Sequence, residues 1–122
     1  MLFRSNFFKK NKIKEKDRIA AYTVNQIETV EVFLATSAIG AIWSSCSPDF
    51  GTQGVIERFS QIKPKLLIIT DRYYYNGKEI NIIQRLPAIL NKIKSIKSVL
   101  ITNYPGKKNL KPKKLKGIKI FY

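Results

Sequence analysis

Short apolar runs alternate with segments of helical periodicity along the middle of this chain. Four runs are predicted to be strands, at 18–22, 41–45, 66–69 and 98–102, and residues 118–122 could open a fifth. The run at 66–69, LLII, is continuous rather than alternating, which is typical of a strand covered on both faces. The whole pattern predicts an α/β fold with an incomplete, mostly parallel sheet flanked by helices.

The first predicted helix follows the first strand. Asn25 and Glu28 have the spacing of a capping pair at a helix start, and Gly40 is a natural stop. The face predicted to be buried consists of apolar residues at helical spacing: Ile27, Val30, Leu34 and Ala38.

Two more helical segments are predicted downstream. One follows a turn at 47–51 and must end before Pro64, because proline cannot continue a helix. The other begins after Asn76 and Gly77, and Pro87 either splits it or starts a second helix. Their apolar positions are Val55, Ile56, Phe59 and Ile62 in the first, and Ile80, Ile83, Leu90 and Ile93 in the second.

The strongly positive net charge suggests a second possible function. The chain of 122 residues has a formal net charge of +15, and the excess lysines concentrate at 9–16 and 107–119. A codon bias toward lysine explains such an excess. The alternative is a basic module that binds nucleic acid or anionic surfaces, but charge alone specifies neither a site nor a partner.

Residue types limit the chemistry that this chain can perform. Cys46 is the only cysteine and there is no histidine, which excludes an intrachain disulfide, a Cys–His or Ser–His pair and a histidine-bearing zinc site. The eight carboxylates form no compact cage for a hard metal. We therefore predict no catalytic residue and no metal site. We also predict a cytoplasmic location, because no apolar run could span a bilayer and no secretory signal opens the sequence.

Several motifs carry a resemblance to a known family. The run at 40–51, GAIWSSCSPDFG, closely resembles a stretch of the acetoacetate–CoA ligases, within the AMP-forming acyl-CoA synthetases. KDRIA at 16–20 is similar to the family's Gly-Asp-Arg-Val strand, and RFSQIKPK at 58–65 to its Arg-Phe-x-Gln-Ile-x-Pro-Lys motif. The match continues through 71–78, and it covers 16–102 without an evident gap.

The resemblance implies an activity and an organisation. Family members activate acetoacetate with ATP and Mg, release pyrophosphate and pass the acyl group to CoA. The family's phosphate loop and its C-terminal lysine do not occur in this sequence. We therefore expect a fragment of the ligase that is inactive alone, with sheet edges and apolar faces left uncovered. It is either a remnant or one part of a split enzyme that docks with the remainder of the ligase. The expected divisions are a basic segment at 1–15 ending a helix, βα units of the N-terminal domain at 16–102, and a basic loop with the start of a strand at 103–122.

The resemblance also implies two contact regions for CoA. The turn after the Trp43 strand lines the pantetheine tunnel in related acetate ligases, and an Arg-Gly-Gly-Arg turn holds the nucleotide end. The predicted cofactor-binding residues are therefore Ser47, Pro48 and Asp49 in the first region, and Tyr75, Asn76, Gly77 and Lys78 in the second.

Each of these residues also has a structural interpretation. Pro48 and Gly51 can simply shape a turn, with Ser47 or Asp49 capping a helix. Asn76 and Gly77 can form an ordinary turn that leads into a helix. Trp43 lines the tunnel or belongs to the core.

Overall fold

A computed structural model describes residues 2–108, 110–112, 115 and 117–122, with side chains from Asn6 onward. Parts of the predicted basic end segments, at residues 1, 109, 113, 114 and 116, lie outside this description. The elements in chain order are α1 (Leu2–Lys10), β1 (Arg18–Tyr22), α2 (Ile27–Ala38), β2 (Ile42–Cys46), α3 (Thr52–Ile62), β3 (Leu66–Thr70), β4 (Arg72–Tyr75), β5 (Lys78–Asn81), a 3₁₀ turn (Ile83–Arg85), α4 (Leu86–Lys92), β6 (Ser98–Thr102) and β7 (Lys119–Phe121).

Five parallel strands form the main sheet in the order β2-β1-β3-β6-β7, while β4 and β5 pair separately as an antiparallel hairpin. The predicted α/β class with a mostly parallel sheet is confirmed. Numbered among themselves, the five parallel strands run 2-1-3-4-5, an order in which ligands bind at the carboxyl ends of the strands where the order reverses. Here that point lies beside β1.

Helices cover both faces of the sheet, because successive strand residues point to opposite sides. Ala20 and Tyr22 face the cluster formed with α3 and α4, whereas Ile19 and Ala21 face the cluster formed with α1 and α2. All five residues of β3 are buried, as its continuous apolar sequence predicted. Within the described part of the chain, no helix is long and apolar enough to cross a membrane.

The predicted buried face of α2 is wrong. Ile27, Val30 and Leu34 are 75%, 56% and 44% exposed, and Ala38 is also exposed. The side that packs on the sheet consists of Val32, Ala35 and Thr36. The Thr36 hydroxyl donates to the carbonyl oxygen of Val32 at 2.6 Å, so burying it leaves no polar atom unpaired.

The prediction for the start of α2 is wrong, and the prediction for its end is correct. The helix begins after Gln26, and no side chain caps it, so the predicted Asn25–Glu28 capping pair does not form. Gly40 does end the helix, with a φ of 73°. Its N–H donates to the carbonyl of Ser37, and the next N–H donates to the carbonyl of Thr36, the paired bonds of a Schellman motif.

The predicted helical stretch after Gly77 is also wrong in its first part. Asn76 and Gly77 have φ values of 51° and 72°, which fit the two central positions of a type I′ turn. That turn matches the twist of paired strands, so the chain continues as β5 rather than as a helix. Helical structure returns only with the 3₁₀ turn and α4, which carries Pro87 in its first turn.

Candidate functional site

A pocket of about 440 Å³ opens at the carboxyl ends of β1 and β2, beside the point where the strand order reverses. We call it the strand-end pocket. Residues after both strands meet there because parallel strands end at the same edge of the sheet. Its lining consists of Thr23, Val24, Asn25, Thr29, Val30, Phe33, Trp43, Ser45, Cys46, Ser47, Pro48, Asp49 and Tyr73.

Hydrogen bonds fix the side of the pocket formed by the β1–α2 connection. The Thr29 hydroxyl donates to the carbonyl oxygen of Val24 at 2.7 Å and lies 3.1 Å from the hydroxyl of Thr23. The backbone N–H of Thr23 in turn donates to the carbonyl of Cys46. The start of α2 is thereby tied to the ends of both strands, which makes this side of the pocket rigid.

The outer side of the pocket is apolar. The rings of Phe33 and Trp43 meet edge to face with their centroids 5.4 Å apart, and Val30 stands beside them. Trp43 is partly buried against α2 and also lines the pocket. The Trp43 ring therefore packs against the core and is also accessible from the pocket.

Residues 47–50 form a tight turn at the rim of the pocket. The N–H of Phe50 donates to the carbonyl of Ser47 at 3.1 Å, and Pro48 occupies the second turn position, which its fixed φ suits. The Ser47 hydroxyl donates to the Asp49 carboxylate at 3.2 Å, and both residues are exposed. Neither caps α3: the capping residue is Gly51, without a side-chain hydrogen bond. That part of the structural interpretation is wrong.

Two side chains that sequence reasoning missed lie beneath this turn. Tyr22, at the end of β1, has no exposed surface, and its hydroxyl reaches the carbonyl oxygens of Pro48, at 3.3 Å, and Phe50. Arg85 donates to the Tyr22 hydroxyl and to the Phe50 carbonyl, the latter at 3.1 Å. Burial raises the pKa of the Tyr22 phenol, although the charge of Arg85 acts in the opposite direction.

The β4–β5 hairpin brings the second predicted region to the same surface. Tyr75 lies opposite Lys78 and Tyr73 opposite Ile80, so these four side chains share one face of the hairpin. Tyr73 and Tyr75 line a depression of about 390 Å³ together with Asp49. The structure thus brings Tyr75 close to the turn at 47–50.

The other predicted residues of the hairpin lie at its tip. Asn76, Gly77 and Lys78 are exposed and do not line the strand-end pocket or the depression beside it. A Cβ added to Gly77 would meet no atom within 4 Å, so its backbone is open to close approach. The positive charge of Lys78 is therefore available to solvent.

The opposite face of the hairpin is anchored to the rest of the fold. Glu79 accepts hydrogen bonds from Tyr74 and from Arg72, each at 2.8 Å. These two bonds lower the pKa of the Glu79 carboxyl. Tyr74 also packs edge-on against Tyr104, with the ring centroids 5.0 Å apart. On the other face, Tyr73 and Ile80 pack against the core cluster of α3 and α4, so both faces hold the hairpin in place.

Cys46 contributes no nucleophile to the pocket. The side chain is buried, and burial raises the pKa of the Cys46 thiol, against the opposing charge of Arg58. A thiol reacts as its thiolate, so this change reduces its reactivity at neutral pH. The residues available here can shape and bind a ligand rather than perform covalent chemistry.

Metal ions and nucleotide phosphates each need a particular set of ligands. Among the described residues, no three histidine, cysteine, aspartate or glutamate side chains come together as a metal site. A phosphate cradle needs several backbone N–H groups from a glycine-rich turn, and the six glycines are dispersed along the sequence. No two of these glycines are close enough in sequence to form a turn of that kind, apart from the pair at 51 and 54.

Comparison with known proteins places this geometry in context. The family described as AMP-binding enzyme matches residues 4–118. The acetoacetyl-coenzyme A synthetase of Rhizobium meliloti (strain 1021) is 55% identical over 73 residues, which are 60% of this chain and 11% of that protein. The acetoacetyl-CoA synthetase of Xenopus tropicalis is 47% identical over 92 residues, 75% of this chain and 14% of that protein.

A solved structure agrees with these sequence relatives. The acetoacetyl-CoA synthetase from Streptomyces lividans superposes with a TM-score of 0.81 at 28% identity, over 95% of this chain and 17% of that one. The chain therefore spans only a small part of the relatives that it matches. These similarities give no support to the alternative of a basic module for nucleic acid or anionic surfaces.

Proposed function

Since this chain belongs to the AMP-binding enzyme family, we propose that it is part of an acetoacetate–CoA ligase and supplies one wall of the CoA path together with scaffold. The reaction of the complete enzyme would convert ATP, acetoacetate and CoA to AMP, pyrophosphate and acetoacetyl-CoA. The chain itself contributes no catalytic group. Its buried free thiol accords with a reducing, cytoplasmic setting.

One observation carries this proposal. Asp49 in the turn at 47–50 and the hairpin residue Tyr75, which are far apart in sequence, line a shared depression next to the strand-end pocket. Those are the two regions that the family resemblance assigns to the pantetheine arm and to the nucleotide end of CoA. Their convergence at the carboxyl edge of a parallel sheet supports a single extended ligand that contacts both.

The lining suits the chemistry of each part of CoA. Pantetheine is an uncharged chain with two amides, and it would meet the Ser47 hydroxyl and the Asp49 carboxylate beside the apolar surface of Trp43. At the hairpin, the exposed ring of Tyr75 could stack on adenine, while Lys78 would approach a phosphate. Asn76 and Gly77 would let the backbone come close to the same group.

ATP and Mg belong to the proposed reaction but not to this chain. The complete enzyme would form the acyl-adenylate with residues outside the segment described here. No step of adenylation is therefore assigned to a residue of this chain. This chain would hold CoA so that its thiol can receive the acyl group, and it would exclude water from the CoA path.

Pantetheine titration of the purified chain, followed by ¹H–¹⁵N NMR, tests the proposal. Pantetheine is the suitable probe because it has no phosphate, so the strongly basic surface cannot attract it non-specifically. We expect saturable shifts confined to the strand-end pocket and the turn at 47–50. Asp49→Ala should weaken the interaction at least about fivefold, through the loss of a charged hydrogen-bond acceptor.

Glu57→Ala is the matched control, because it removes an exposed carboxylate on α3 away from the pocket lining. This variant should bind pantetheine as the parent does. Shifts spread over both ends of the chain, or equal losses in the two variants, would contradict the proposed contact surface. A complete lack of response in the folded parent would refute pantetheine binding by the isolated chain.

A further inference from the structure

Tyr22 is a fully buried phenol whose polar atom must find partners within the protein. Its ring belongs to the core cluster on the α3 and α4 side of the sheet. Its hydroxyl emerges directly under the turn at 47–50, where it meets the carbonyl oxygens of Pro48 and Phe50. The core of the protein thus bonds to the inner side of a turn whose outer side is exposed.

Arg85 reaches the same place from the 3₁₀ turn before α4. Its Nη1 donates to the Tyr22 hydroxyl, to the Phe50 carbonyl at 3.1 Å and to the Pro48 carbonyl at 3.4 Å. None of the ion pairs found among the described residues includes Arg85. A partly buried guanidinium is therefore directed at neutral acceptors, and bonds from a charged donor are stronger than neutral ones.

The turn has little else to hold its shape. Its own backbone bond is the one from Phe50 to Ser47, and two exposed bonds join Ser47 and Asp49: the Ser47 hydroxyl donates to the Asp49 carboxylate at 3.2 Å, and the Asp49 N–H donates to the Ser47 hydroxyl oxygen at 3.4 Å. Exposed bonds of this kind compete with water and contribute little. Three of the four bonds from Tyr22 and Arg85 to the Pro48 and Phe50 carbonyls are buried or partly buried, so these bonds compete less with water than the bonds within the turn and tie it to the core.

We propose that Tyr22 and Arg85 are positioning residues, which hold the turn at 47–50 in the conformation that presents Ser47 and Asp49 to the ligand of the strand-end pocket. Neither residue needs to touch that ligand. The identity of the ligand as the pantetheine arm rests on the proposed function, whereas the hold on the turn rests on the contacts alone.

Amide hydrogen exchange in the purified chain tests directly whether Tyr22 and Arg85 hold the turn at 47–50. Loss of a charge-assisted bond should make the Phe50 amide exchange about tenfold faster in Arg85→Met and in Tyr22→Phe. The rates of the central β3 amides serve as the reference for global stability. Arg85→Lys should restore part of the protection, because an ammonium can still donate to the Phe50 carbonyl.

Arg58→Met is the matched control. Arg58 also lies beside Phe50, but it stands over the ring, 5.7 Å from its centroid, rather than at the carbonyl. This variant should leave the Phe50 exchange rate unchanged. Should Tyr22→Phe fail to fold, the comparison of Arg85→Met, Arg85→Lys and Arg58→Met decides the question.

Pantetheine affinity separates positioning from a purely structural role. Arg85→Met should weaken pantetheine binding at least about fivefold, and Arg85→Lys should recover part of it. If the exchange rate of the Phe50 amide in Arg85→Met changes by less than about threefold, Arg85 does not hold the turn. If the Phe50 amide of Arg85→Met exchanges faster but pantetheine affinity is unchanged, Arg85 is not a positioning residue for the ligand. If the parent binds no pantetheine, pantetheine binding by the isolated chain is refuted, and the Phe50 exchange rates alone decide whether Tyr22 and Arg85 hold the turn.

Discussion

Replacing Asp71 with alanine is expected to lower the free energy of unfolding by about 3–5 kcal/mol, the usual effect of removing one member of a buried ion pair. Asp71 follows β3 and has no exposed surface. Its carboxylate accepts the N–H of Tyr104 at 2.9 Å, the N–H of Leu110 at 3.0 Å and the guanidinium of Arg72 at 3.2 Å.

The effect is large because alanine would leave several polar groups without their partner. Two partly buried N–H groups would lose their acceptor, and the Arg72 charge, which is buried, would lose one of its partners. Asp71 therefore connects the main sheet, the hairpin and the loop after β6. Its loss should loosen the hairpin as well as the global fold.

Chemical denaturation of the parent and the variant measures the difference. Asp17→Ala is the control, because Asp17 pairs with Lys65 at 3.3 Å near the surface, where such pairs contribute about 0.2–1 kcal/mol. If Asp71→Ala is no more destabilising than Asp17→Ala, the connecting role of Asp71 is wrong. An unfolded Asp71→Ala chain beside a folded Asp17→Ala chain agrees with the expectation.

Phe59→Ala should have an effect of similar size, about 3–5 kcal/mol, because a large side chain would leave a cavity in a close-packed core. Phe59 lies on the sheet side of α3 and has no exposed surface. It packs in the cluster that holds α3 and α4 against β1 and β3. Its loss therefore removes a large side chain from the cluster shared by these elements.

Phe50→Ala is the control for this prediction, since it removes the same side chain from the loop just before α3. Phe50 is 40% exposed, and its ring interaction with Arg58 should contribute only about 0.5–1 kcal/mol. Thermal and denaturant unfolding should separate the two variants clearly. Equal losses would mean that α3 does not pack on the sheet through Phe59.

Strands were the features most readily predicted from the sequence. The runs at 18–22 and 98–102 have the observed bounds of β1 and β6, and the buried run beginning at Leu66 is the central β3. Continuous apolar runs carry this information because a strand between two helix layers has no polar face. The edge strand β2 is displaced by one residue from its predicted position, at 42–46 instead of 41–45.

Helix α2 shows why apolar periodicity alone did not predict which face of a helix is buried. The predicted face consisted of the apolar residues at helical spacing that include Ile27 and Leu34. The sheet instead takes the stripe with Ala35 and Thr36, because small side chains let a helix approach it closely. Which stripe faces the sheet depends on tertiary packing, which no local pattern records.

The hairpin could have been predicted more fully. Asn-Gly between strand-forming residues is a strong hairpin signal, and the tyrosines before it have high β-propensity. The apolar spacing after Gly77 favoured a helix in error. In contrast, Tyr22 and Arg85 carried no such signal, because their hydrogen bond joins residues 63 positions apart in sequence.

The most direct test of the central claim is a chimaera with the acetoacetyl-coenzyme A synthetase of Rhizobium meliloti, which matches this chain at 55% identity over 73 residues. The matched segment of that synthetase would be replaced by the corresponding residues of this chain. Acetoacetate-dependent exchange of pyrophosphate into ATP measures adenylation, and thioester formation measures transfer to CoA.

If this chain supplies scaffold and a CoA-facing wall, the chimaera should perform both steps within about tenfold of the parent rates. The isolated chain should perform neither. A folded chimaera that adenylates acetoacetate at the parent rate but forms no acetoacetyl-CoA would contradict the account.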